Sequence, residues 1–220
     1  MWPYIVVAFG IAVTGVTTYF YRGEIEKYFK GKNIVILGDS RVGKTTMHKF
    51  LREGEIVIKH IGTNRRETVK KNTFKLNGLK LKIAEGTDVP GQEGFEFEWK
   101  QNFVDSDICF YLFYSDKVFD NINETIIKVN KDLYHIGKWK EEARDGSRVI
   151  VIGTHMDKIS TIGNYNKSNI QELHKNLRIK LVDGLRQGNI KSSEFFIGNL
   201  SNKEGLELIM SDILNYLSVK

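Results

Sequence analysis

Gly38-Asp39-Ser40-Arg41-Val42-Gly43-Lys44-Thr45 carries the spacing G-x-x-x-x-G-K-[ST], whose chemistry is the gripping of a polyphosphate. Glycines let backbone N–H groups turn inward as an anion nest, and a helix that begins beside them adds the positive end of its dipole. Lys44 would reach the β- and γ-phosphates and the Thr45 hydroxyl would hold Mg²⁺, with Thr46 beside it in the same contact set. Without that role the segment is a glycine-bearing turn between a strand and a helix. Its setting favours the nucleotide site: the apolar run Asn33-Ile34-Val35-Ile36-Leu37 leads in, and a helical stretch over residues 44–52 leads out. A second group lies downstream in Asp88-Val89-Pro90-Gly91-Gln92-Glu93. A carboxylate at a strand end can hold a water on Mg²⁺, and a glycine three residues on can offer its N–H to a γ-phosphate. Gln92 then stands beside the attacking water. By itself D-x-x-G is commonly a turn; its place after a strand and hairpin, beyond a phosphate loop, gives it weight.

Such residues need a sheet to bring them together. Thr73–Leu76 and the alternating Leu79, Leu81 and Ile83 flank Asn77-Gly78, a two-residue hairpin signal. Ile108–Tyr114, residues 148–153 and residues 194–197 are apolar enough for buried parallel strands. Helical patterns fall between them at residues 118–135, 168–186 and 204–217. Strand and helix in alternation predict an α/β fold, a doubly wound and mostly parallel sheet. Residues 55–71 read as a polar, mobile loop. Arg65, Arg66, Lys70, Lys71, Lys75, Lys80 and Lys82 cluster on it and the hairpin, as a charged edge does or as a face for an acidic partner or anionic lipid. Trp99, Trp139, Phe95 and Phe97 read as packing residues.

The amino terminus is different in kind. Residues 2–21 contain no charged side chain, the length that crosses a bilayer as a helix, and Trp2, Tyr4, Tyr19, Phe20 and Tyr21 stand at its ends. A cleavable signal peptide would need a basic segment before the apolar run, and none precedes it. Arg22, Lys27, Lys30 and Lys32 flank only the carboxyl side, which predicts that the globular part faces the cytoplasm. The expected organisation is a transmembrane helix at 1–22, a linker at 23–32 and one domain at 33–220. At 220 residues there is room for one core plus something short. The net charge of +6 and a pI near 9.2 come from Lys and Arg scattered among acids, so nucleic-acid binding is not indicated. Cys109, the one cysteine, reads as a core thiol, which argues for an intracellular domain without disulfides. The histidines show no paired metal-ligand spacing.

From Asn33 onward the sequence resembles the Ras-like small GTPases. Gly38 to Thr45 is similar to the phosphate loop of Rab-type members, and Asp88 to Glu93 to the family's D-x-x-G-Q-E segment. The resemblance implies GTP/GDP and Mg²⁺ as ligands and gives Gln92 the orientation of the hydrolytic water. It also implies a first-switch threonine on Mg²⁺, Thr63 by its distance before Asp88, with Thr68 second. Thr154-His155-Met156-Asp157 resembles N-K-x-D. The carboxylate of Asp157 would accept from N1–H and the exocyclic amine of guanine, while Thr for Asn removes a contact bracing the loop and His stacks less widely than a Lys stem. Ser201-Asn202-Lys203 is similar to S-A-K; the same residues also fit a capping turn with Ser201 as the cap. Arg41, in a position usually small, and Pro90, which lacks a donor, imply slow intrinsic hydrolysis. Protein effectors and regulators are the implied partners. Two other readings stay open: a GTP-loaded membrane scaffold with negligible turnover, and an ATP-using P-loop enzyme.

Overall fold

The computed structural model describes residues 28–29, 31–53, 67–68, 73–76, 79–82, 84–88, 96–159 and 167–218. In chain order the first half comprises β1 (Asn33–Gly38), α1 (Lys44–Glu53), β2 (Glu67–Thr68), β3 (Thr73–Leu76), β4 (Leu79–Lys82), β5 (Ala84–Asp88) and α2 (Glu96–Val104). The second half comprises β6 (Ile108–Tyr114), α3 (Ser115–Phe119), α4 (Asn123–Trp139), β7 (Arg148–Thr154), α5 (Lys167–Lys180), α6 (Val182–Gln187), β8 (Phe195–Ile197) and α7 (Lys203–Ser218).

The two-residue period of extended backbone sends Ile34 and Ile36 of β1 to one face of the sheet and Val35 and Leu37 to the other. In β6, Ile108, Phe110 and Leu112 join the first face while Cys109, Tyr111 and Phe113 join the second; β7 divides likewise. Because both faces are buried, these strands read as continuous apolar runs. The first face is covered by α1 and α7 through Met47, Leu51, Leu206, Ile213 and Leu217. The second is covered by α2, α4, α5 and α6 through Trp99, Phe103, Leu133, Leu177 and Leu185. The strand order is β2-β5-β1-β6-β7-β8, parallel except for the short β2. The chain leaves β1 toward β5 on one side and returns to β6 on the other. Ligands of such sheets bind outside the carboxyl ends at that point of reversal.

The doubly wound, mostly parallel expectation is met in the sheet. The hairpin around Asn77-Gly78 forms as β3 and β4, with Leu76 opposite Leu79, but as a separate two-stranded sheet. Strand β5 lies beside β1 instead. The helix expected at 118–135 is two helices, parted at Asn121, whose φ of +59° no helix accommodates. The helix expected at 168–186 is also divided, at Leu181. Helix α2 was not foreseen. It buries Trp99 and Phe103 but leaves Phe97 70% exposed, so Phe97 is not a packing residue; Phe95 lies outside the described residues.

The core begins upstream of Asn33. Phe29, in the segment expected as linker, is fully buried with its ring centroid 6.1 Å from that of Phe110. Among the described residues no helix is long and apolar enough to cross a membrane, and the span expected at 2–21 lies outside them.

Candidate functional site

The loop from β1 to α1 needs its two motif glycines. Gly38 has φ +139°, and a Cβ there would fall 2.2 Å from the carbonyl oxygen of Leu112. Gly43 has φ +104°, and its Cβ would meet Leu200 Cδ1 at 2.9 Å. Both conformations lie where L side chains are strained, and the space beside each is taken by β6 or by the segment before α7. Between them Arg41 is exposed and adopts φ +59° without being glycine, while Val42 is fully buried. Asp39 Oδ1 accepts from the Ser40 N–H at 2.7 Å.

Lys44 opens α1 and is only 7% exposed. Its ammonium donates to the carbonyls of Gly38 at 3.1 Å and Asp39 at 2.9 Å, so it folds back over the loop. Thr45 and Thr46 follow in the first turn of the helix, where unsatisfied N–H groups favour anions. The backbone of Asp88 ends β5 opposite Ile36, at the same end of the sheet as the loop. Thr68 sits in β2 opposite Thr87. Thr63, Gly91 and Gln92 lie outside the described residues.

The carboxyl end of β7 meets this loop from the other side. Thr154 is fully buried, and its Oγ1 lies 3.0 Å from the Val42 carbonyl, 3.1 Å from the Phe113 carbonyl and 2.9 Å from His155 Nδ1. Carbonyls only accept, so in the arrangement where the single hydroxyl proton is directed at them the imidazole donates from Nδ1 to the same oxygen. The bracing contact expected to be lost with an Asn is thus supplied by the threonine hydroxyl. The Thr154 carbonyl in turn accepts from Ser115 Oγ. His155 takes φ +60°, and Asp157 follows, exposed, in the 3₁₀ turn Met156–Lys158.

The third loop follows β8. Gly198 N–H donates to the Gly153 carbonyl at 2.9 Å, and Asn199 Oδ1 accepts from Ser201 N–H at 2.7 Å. Asn202 Oδ1 accepts from Gly205 N–H at 2.8 Å, so the cap of α7 is Asn202, not Ser201. Ser201 is exposed, and Lys203 begins the helix.

One residue of this junction had no place in the sequence reading. Tyr114 ends β6 opposite Thr154. Its hydroxyl donates to the Ser40 carbonyl at 2.6 Å, and its ring centroid is 4.8 Å from that of His155. The Lys117 ammonium lies 4.2 Å from the ring centroid. Burial first, then the nearby Asp39 and Asp116, pushes the Tyr114 phenol up to about 12. A tyrosine closing the run Ile108–Tyr114 looks like core; only its register against Thr154 marks it as part of the junction.

Three loops from the carboxyl ends of β1, β7 and β8 therefore meet, offering one buried ammonium at Lys44 and an exposed carboxylate at Asp157. The family model described as the Ras family matches residues 33–197, most of the chain. No curated protein matches it.

Proposed function

The chain belongs to the Ras family of small GTPases, and from that premise we propose a membrane-anchored molecular switch. It binds GTP and GDP with Mg²⁺, hydrolyses the γ-phosphate slowly, and changes its affinity for partners as two switch segments order and release. The observation that carries this reading is the loop at Gly38 to Lys44. Side-chain space at both glycines is closed and the Lys44 ammonium is folded over the loop's own carbonyls. Bare backbone plus one buried cation suits a polyphosphate. Oxygen donors at Thr45 and Asp88 suit a hard cation such as Mg²⁺.

In this reading Lys44 neutralises phosphate charge, and Thr45, Asp88 and Thr63 arrange the metal. Mg²⁺, held there by Thr45, Asp88 and Thr63, would supply positive charge to offset the charge developing on the phosphate. Gly91 offers its amide to the γ-phosphate and Gln92 orients the water. Asp157 selects guanine by accepting from two donors that adenine does not present together. Thr154 and His155 shape the base loop, and Ser201, Asn202 and Lys203 supply its far wall. Arg41, exposed at the loop apex, sets the approach of any activating partner's arginine. The uncharged residues 2–21 span the membrane and Arg22, Lys27, Lys30 and Lys32 keep the domain in the cytoplasm.

Single-turnover hydrolysis of GTP by wild type and Gln92→Leu tests the chemistry. The variant is expected to be slower; equal rates remove Gln92 from the mechanism. Extraction of the full chain from membranes with alkaline carbonate tests the anchor. Release into the supernatant contradicts a spanning helix.

A further inference from the structure

We propose that Tyr114 is a positioning residue that couples the grip on phosphate to the reading of the base. Its hydroxyl holds the Ser40 carbonyl at the apex of the phosphate loop, and its ring backs His155 in the base loop. The inference rests on the nucleotide-binding reading and goes beyond it, because no motif of the sequence includes Tyr114.

The apex is the strained part of the loop. Arg41 adopts a left-handed conformation that strains an L residue, and such a conformation persists only where its surroundings over-determine it. Two hydrogen bonds do so from the ends of β6 and β7. Tyr114 holds the carbonyl before Arg41, at Ser40, and Thr154 holds the carbonyl after it, at Val42. A trans peptide is planar, with C=O and N–H opposed. Fixing the Ser40 carbonyl against Tyr114 therefore fixes the Arg41 N–H to point away from Tyr114. The loop's amide directions, which make an anion nest, are set in part by this phenol.

The same ring reaches the base side. His155 is held from one direction by Nδ1 donation to Thr154 and from another by the Tyr114 face, tilted 41° to the imidazole. The Lys117 ammonium attracts the ring's electron-rich face and steadies the tyrosine. Moving Tyr114 thus disturbs Ser40 and His155 together. Because the phenol is pushed up to about 12, it remains a donor throughout the neutral range.

The test uses the full chain in detergent micelles with Mg²⁺ present. Calorimetric affinity for GDP and the release rate of a fluorescent GDP analogue are measured for wild type, Tyr114→Phe, Tyr114→Ala, His155→Ala and the Tyr114→Ala/His155→Ala double variant. Tyr114→Phe keeps the ring and loses the bond to Ser40. It is expected to weaken GDP binding and hasten release by about 3- to 10-fold, the worth of one hydrogen bond, by the same factor from pH 6 to 9. The ring's role predicts non-additivity, with His155→Ala costing less in the Tyr114→Ala background than in wild type. A merely structural tyrosine would give additive losses. Tyr114→Phe within twofold of wild type, or an additive cycle, overturns the proposal while leaving nucleotide binding intact. Wild type that binds no GDP overturns the functional reading itself.

Discussion

Arg41 shows how a single residue's conformation can be held against its own preference. Replacing it with glycine relieves about 1–2 kcal/mol of left-handed strain and adds about 0.5–1 kcal/mol of unfolded-state entropy loss. The balance favours the variant by about 0–1.5 kcal/mol, with a midpoint of about 1 kcal/mol. Arg41→Gly is therefore expected to melt about 2–4 °C higher in a thermal scan; a lower melting temperature would show that the Arg41 side chain contributes more than its backbone costs. Thr154 is the opposite case, a buried hydroxyl with three polar neighbours. Thr154→Val keeps the shape and strands the Val42 carbonyl and the His155 Nδ1 proton. It should cost about 1–3 kcal/mol in denaturant titration and speed nucleotide release. No change in either would mean that the brace to the phosphate loop is energetically idle.

At the scale of elements, α7 supplies most of the helical side chains that cover one face of the sheet, so its start matters. The bond from Gly205 N–H to Asn202 Oδ1 predicts that Asn202→Ala loses about 1 kcal/mol while Ser201→Ala loses little. Equal losses at the two positions would return the cap to Ser201. The difference between expectation and structure here is instructive. Strands β1, β6 and β7 were legible because burial on both faces leaves an unbroken apolar run. Helix α2 was not, because its buried stripe is only Trp99 and Phe103, too narrow to produce a periodic signal. The break at Asn121 was hidden because Val118, Val129, Leu133 and Ile136 keep a plausible helical spacing across it. Motif residues were legible by spacing, whereas Tyr114 was not: its role comes from pairing with a strand forty residues away, in sequence distance of that order.

Across the whole molecule, buried charge and the amino-terminal connection set the conditions under which the domain works. Asp212, on α7, has an Oδ1 without a hydrogen-bond partner among the described residues, and burial pushes its carboxyl up to about 7 from 3.8. The folded chain then holds this proton where the unfolded chain has lost it. The contribution is complete below about pH 4 and is lost as pH rises through about 7. Asp212→Asn should flatten that decline and be relatively more stable at pH 8 than at pH 5, read from denaturation midpoints; parallel profiles for the two proteins would refute it. Phe29, buried against Phe110, ties the chain to the core within the charged segment before β1.

All of these features serve one physical claim, that the loop between β1 and α1 holds a guanine nucleotide by its phosphates while Asp157 reads the base. Calorimetry of the full chain in micelles with Mg²⁺, titrated with GDP and with ADP, tests it most directly when repeated on Lys44→Ala and Asp157→Ala. The account predicts GDP binding tighter than ADP, loss of both in Lys44→Ala, and loss of the preference in Asp157→Ala. Heat from neither nucleotide in the wild type, or ADP binding tighter than GDP, would contradict it.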